Sequence, residues 1–210
     1  MDNINLEEAV KSFYKKLIDN NKDYLILFSN LQIQIEGWFR GEIMHYFKEN
    51  RYDMTTKNRE VPVTNEERKK VDLKVKLNNV SYWIELKHLL VGYQKGNKKE
   101  GNQYGNYFSL NFYFYSGTYI SNDIEKLKKV SWVPKETTYK YVLAFLSTNY
   151  PEDKEIKNGK ITSKEILEEQ VKSILKSERK DGPLINRACL IADDFNEDCN
   201  FGYFLLKVIV

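Results

Sequence analysis

Apolar and polar positions alternate along the chain with two different periods. Leu6, Val10, Phe13 and Leu17 recur every three to four residues, which predicts a helix over 6–19. A longer helix is predicted over 30–49, with Ser29 or Asn30 placed to cap it. SNDIEKLKKV (121–130) opens on a capping signal, and TSKEILEEQVKSILK (162–176) is amphipathic. Strand patterns fall at 58–63, in a hairpin over 70–88, in the buried run YKYVLAFLST (139–148), and near 188–192 and 202–210. The aromatic run YFSLNFYFYSGTYI (107–120) reads as a further strand or two, and VGYQKGNKKEGNQYGN (91–106) has a loop composition. Helices and strands interleave without an internal repeat. The expected class is therefore α/β or α+β, a mixed central sheet flanked by helices, in one domain over 1–210 with its core elements in 30–148.

The hairpin carries the first chemical clue. With Asn78 and Asn79 as a two-residue turn, Leu77 faces Val80, Val75 faces Tyr82 and Leu73 faces Ile84, which gives one apolar face. On the other face Lys76 meets Ser81 and Lys74 meets Trp83. One step further, Asp72 meets Glu85, with Lys87 two residues along on the same side. Like charges opposed at Cβ separations of about 5 Å are destabilising. A bridging divalent cation would turn that repulsion into a ligand set, whereas a solvated hairpin end would simply hydrate it. Glu155-Ile156-Lys157 repeats the Glu-x-Lys form in a polar loop, so the strand context carries the information.

The helix over 30–49 adds a third carboxylate. At ~100° per residue, Leu31, Ile35, Trp38, Phe39, Ile43, Tyr46 and Phe47 share one face, and Glu42 falls within it. Glu36 lies nearer the edge of that face, and Glu49 at the helix end. A buried carboxylate needs a partner. It is either paired to a lysine or arginine, or aimed at the Asp72–Glu85 site.

Composition narrows the chemistry. Two cysteines (Cys189 and Cys199) and two histidines (His45 and His88) leave little for a zinc site, so any metal must be held by oxygen and would be Mg²⁺ or Mn²⁺. The 33 basic and 30 acidic side chains give a formal charge of only +3, so only local lysine groups hint at phosphate contact. These are Lys69-Lys70, Lys95 with Lys98 and Lys99, and Lys126 with Lys128 and Lys129. No apolar stretch approaches the ~20 residues of a membrane span, and MDNINLEEAVKSFYKK lacks the pattern of a secretory signal, so a cytoplasmic location is expected.

A helical Glu followed by a strand pair bearing Asp and Glu-x-Lys resembles the PD-(D/E)XK nuclease superfamily, through GEIMHYF, KVDLKV and YWIELKHL. The proline that names the motif is absent; Val71 stands before Asp72. The resemblance implies a restriction-endonuclease-like fold and metal-dependent hydrolysis of a phosphodiester. It implies Asp72, Glu85 and the Leu86 backbone carbonyl as ligands of Mg²⁺ or Mn²⁺, with Glu42 as the helical acid and Glu36 as the substitute. In that scheme the metal polarises the phosphate and lowers the pKa of a bound water. Lys87 orients or helps deprotonate that water and offsets charge on the phosphate. The lysines Lys95, Lys98, Lys99, Lys126 and Lys129 would neutralise flanking phosphates. His88 points away from this face and reads as structural. Gln103 and Tyr107 resemble the Gln-x-x-x-Tyr element of one exonuclease branch.

The expected activity is a DNA endonuclease of a restriction, defence or repair system, with nucleic acid as partner and a homodimer as the simplest way to cut two strands. An RNA-cleaving enzyme, a nucleic-acid-binding module that no longer cleaves, and an interaction protein with an acidic hairpin remain as alternatives.

Overall fold

The computed structural model describes residues 5–31, 35–53, 59–62, 70–77, 80–92, 117–130, 137–149 and 186–209. Among the described residues three helices, α1 (Leu6–Leu31), α2 (Glu36–Glu49) and α3 (Gly117–Lys128), accompany six strands. The strands are β1 (Arg59–Pro62), β2 (Lys70–Leu77), β3 (Val80–Gly92), β4 (Thr137–Asn149), β5 (Ala188–Asn196) and β6 (Phe201–Val208). They form one sheet in the order β1-β2-β3-β4-β6-β5. Among the described strands only β3 and β4 run parallel, so the class is mixed α+β.

The two central strands follow from their composition. YVLAFL in β4 and FGYFLL in β6 are apolar at every position because both faces of the sheet are covered there. One face packs α1 and α2 through Phe13, Tyr14, Leu17, Phe39, Ile43 and Phe47. Phe39 stacks on Phe145 at 4.4 Å and on Phe201 at 5.1 Å between ring centroids. The other face packs α3 through Ile120, Ile124 and Leu127 against Val142, Ala144 and Phe204. The edge strand β5 is half-exposed, and Asp193 and Asp194 on it discourage pairing with another sheet.

Three boundaries differ from the sequence expectation. The first helix runs on to Leu31 across a kink at Asn21, so Ser29 is a buried residue of α1 rather than a cap. The second helix accordingly starts at Glu36, without a side-chain cap. Its first turn is instead tied to β3, where the Ile35 N–H donates to Nδ1 of His88 at 3.1 Å. The third helix begins at Gly117, inside the aromatic run, and Ser121 lies buried within it. The predicted helix at 162–176, the hairpin turn at 78–79, and Lys69, Lys95, Lys98, Lys99, Gln103 and Tyr107 lie outside the described residues. Among the described residues, no helix is long and apolar enough to cross a membrane.

Candidate functional site

The expected hairpin register is the observed one. Leu77↔Val80, Lys76↔Ser81, Val75↔Tyr82, Lys74↔Trp83 and Leu73↔Ile84 pair in sequence, and the Lys74 ammonium sits 5.2 Å over the Trp83 ring. The ladder stops there. Beyond it the N–H of Leu86, which the next backbone pair would satisfy, donates to Oδ2 of Asp72 at 2.9 Å. Asp72 therefore replaces a strand partner with its own carboxylate. Glu36 of α2 lies close enough to this open end to be influenced by Lys87 and Asp72.

Asp72 and Glu85 are neighbours as expected, but each has a basic partner. Arg40, one turn along α2 from Glu36, donates from Nη2 to Oδ1 of Asp72 at 2.7 Å and lies 3.5 Å from Oε1 of Glu36. On the opposite side of the sheet, Lys126 of α3 brings Nζ to 2.6 Å from Oε1 of Glu85. Lys126 is also 3.6 Å from Oδ1 of Asp123, whose Oδ2 is 3.3 Å from Nζ of Lys87. Four carboxylates (Glu36, Asp72, Glu85, Asp123) thus alternate with three cations (Arg40, Lys87, Lys126), where β2 parts from β3 and both helices reach the sheet.

Burial makes this cluster electrostatically uneasy. Glu85 is 1% exposed, and desolvation together with the Asp72 charge pushes its carboxyl up to about 8, against the pull of Lys126. Desolvation also raises Asp123, opposed by Lys87 and Lys126, and raises Glu36, opposed chiefly by Lys87. For Lys87, burial works toward a lower pKa, but Asp123, Glu36, Glu85 and Asp72 together outweigh it and raise the net value. Its ammonium therefore stays charged at neutral pH.

Glu42 does not join the cluster. The Phe39, Ile43 and Phe47 face of α2 meets the sheet, which turns Trp38, Glu42 and Tyr46 toward α1. Phe28–Trp38 and Phe13–Tyr46 ring contacts fix that setting, and Glu42 shares a small cleft with Lys16, Asn20 and His45. Glu36, one and a half turns earlier, is the α2 carboxylate that reaches the site. Lys126, expected as a phosphate contact, is turned inward on Glu85, whereas Lys129 is exposed. His88 is buried and structural. With Nδ1 accepting from Ile35, the neutral ring carries its proton on Nε2 and donates to Oγ of Ser147 at 2.6 Å, and burial lowers its pKa to about 4.

Arg40 and Asp123 were not foreseen at this site, and Lys126 was expected only as a phosphate contact. Asp123 had a visible signal: it lies on the apolar stripe of α3, three residues from Ile120 and four from Leu127, where a carboxylate needs a reason.

The donor set suits a hard divalent cation. Asp72 and Glu85 offer carboxylate oxygens beside the Leu86 backbone, the ligand type such an ion takes, and it is burial first and the Asp72 charge second that raise the Glu85 pKa. As the side chains stand, no three His, Cys, Asp or Glu residues among those described group as ligands, and Arg40 and Lys126 are paired with Asp72 and Glu85. No protein-family model, no curated protein and no solved structure matches this chain.

Proposed function

We propose that the chain is a divalent-metal-dependent nuclease of restriction-endonuclease-like fold that hydrolyses phosphodiester bonds, with DNA as the polymer the resemblance favours and endonucleolytic cleavage as its mode. The observation that carries this reading is the meeting of Asp72 and Glu85 around Leu86, with Lys87 on the same face of β3 and Glu36 entering from α2. The element order from α2 onward, three antiparallel strands, a helix and then a strand parallel to the third, supports the fold assignment.

Asp72, Glu85 and the Leu86 carbonyl would hold Mg²⁺ or Mn²⁺, with Glu36 rather than Glu42 as the helical acid. The bound ion would supply Lewis acidity toward the phosphate and an activated water. Lys87 offsets negative charge on the phosphate and orients the attacking water. The acids around it raise its pKa, which suits an electrostatic role. Asp72 has a positioning duty as well, since its bond to the Leu86 N–H fixes the strand segment that carries Glu85 and Lys87.

One observation favours a second reading, a nucleic-acid-binding module that does not cleave: Arg40 and Lys126 already neutralise Asp72 and Glu85 without a metal. A single experiment separates the two. Plasmid, linear and single-stranded DNA and RNA are incubated with the protein in Mg²⁺ or Mn²⁺, beside Asp72→Ala and Lys87→Ala. The nuclease reading expects cleavage by the wild type and a loss of about 100-fold or more in each variant. Binding without cleavage identifies the module, and equal cleavage by the variants places the chemistry elsewhere.

A further inference from the structure

Lys126 holds Glu85 differently from the way Arg40 holds Asp72, and as Lys87 holds Oδ2 of Asp123, by charge and proximity without an aligned hydrogen bond. Arg40 grips Asp72 through an aligned hydrogen bond from a planar guanidinium. Lys126, at 2.6 Å from Glu85, is close without alignment: Oε1 of Glu85 is buried and has no hydrogen bond of acceptable geometry. The ammonium acts on Glu85 as a point charge, much as a small cation would. Its side chain is 24% exposed, whereas that of Glu85 is 1% exposed, so Lys126 has a route to solvent that Glu85 lacks.

A second carboxylate stands ready to receive it. Oδ1 of Asp123, one turn back on the same helix, is 3.6 Å from Nζ of Lys126, while Oδ2 of Asp123 is kept by Lys87. The lysine stem is flexible, so the ammonium can leave Glu85 and remain beside Asp123 without any movement of α3.

We infer that Lys126 is a built-in counter-cation for Glu85 that a divalent ion displaces, so that α3 sets how strongly the site takes metal. The inference rests on the metal reading proposed above. It explains why a carboxylate so deeply buried is tolerated in the metal-free protein. Without Lys126 or a metal, an ionised Glu85 would be an uncompensated buried charge, which is strongly destabilising, so the carboxyl would be confined to its protonated form. It also assigns Lys126 a role distinct from the phosphate contact expected of a surface lysine.

The test uses metal-free full-length protein titrated with Mn²⁺ by calorimetry, and thermal unfolding with and without saturating Mn²⁺. Wild type is compared with Lys126→Met and with Lys129→Met, which removes an exposed charge from the segment just after α3. Metal-free Lys126→Met should melt below wild type, and saturating Mn²⁺ should restore most of that loss. It should also bind Mn²⁺ about tenfold or more tighter than wild type, while Lys129→Met stays within about threefold. Should Lys126→Met fail to fold, Lys126→Gln carries the same comparison with a neutral hydrogen-bond donor. An unchanged melting temperature, a loss that persists in Mn²⁺, or equal affinities in wild type and Lys126→Met overturns the counter-cation role and leaves the metal site standing. Absence of Mn²⁺ binding in every protein overturns the metal reading, and this inference with it.

Discussion

Toward its turn, the β2–β3 pair is held by a continuous ladder from Leu77↔Val80 to Leu73↔Ile84, over fully buried Leu73, Val75 and Ile84. One residue beyond, the same two strands are held by side chains: Asp72 on the Leu86 N–H, Arg40 on Asp72 and Lys126 on Glu85. The two ends differ in what a perturbation leaves behind. At the ladder end it leaves a cavity; at the open end it leaves a buried charge or an unpaired N–H. The ladder end rests on backbone pairing and buried apolar side chains, and the open end replaces that pairing with charged side chains.

Substitutions at the two ends separate these roles, and the ladder end should give the larger effect on stability. Ile84→Ala removes a fully buried side chain and is expected to cost about 2–5 kcal/mol in chemical denaturation. Asp72→Asn keeps the shape and one acceptor, and is expected to cost about 1–3 kcal/mol while abolishing cleavage. If Asp72→Asn proved the more destabilising of the two, the open end would be a structural clamp first and a site second.

Smaller effects come from pH. Glu85 is raised from its ordinary 4.5 to about 8, so between those values the folded protein holds a proton that the unfolded chain has released. Stability from this group is therefore present below about 4.5 and is lost as pH rises through about 8. Glu85→Gln should flatten the decline over that window in urea titrations run at successive pH values. His88 acts in the opposite sense. Its pKa falls from 6.5 to about 4, so the unfolded chain binds the extra proton, and this contribution disappears as pH drops from 6.5 through 4. His88→Gln should remove that acid-side loss, and an acid limb unchanged in the variant would show that protonation elsewhere causes it.

How far the sequence carries depends on the range of the interactions involved. The hairpin register was legible because the alternation of apolar positions on the two strands fixes it locally, and with it came the proximity of Asp72 and Glu85. The rotation of α2 was not. A helical wheel shows that Glu42 shares the broad apolar arc, but not that Phe39, Ile43 and Phe47 take the sheet while Trp38 and Tyr46 take α1. The helix start was equally hidden, because His88 on β3 anchors the first turn in place of a local cap. In the sequence, Glu36–Arg40 and Asp123–Lys126 look like ordinary neighbours on a helix surface. Only the docking of both helices on opposite faces of the sheet turns them inward.

The parallel pairing of β3 with β4, continuous from Val80↔Thr137 to Gly92↔Asn149, has a kinetic consequence. The β2–β3 hairpin joins contiguous chain and can form within about 1–10 μs. Its parallel neighbour must wait until the crossover through residues 93–136 has closed, at an entropic cost that short hairpins do not face. Asp123 and Lys126 travel on that crossover. During folding, Glu85 therefore gains its protein counter-charge only after the strand that carries it has paired, so a young chain exposes its acids to solvent and buries them last.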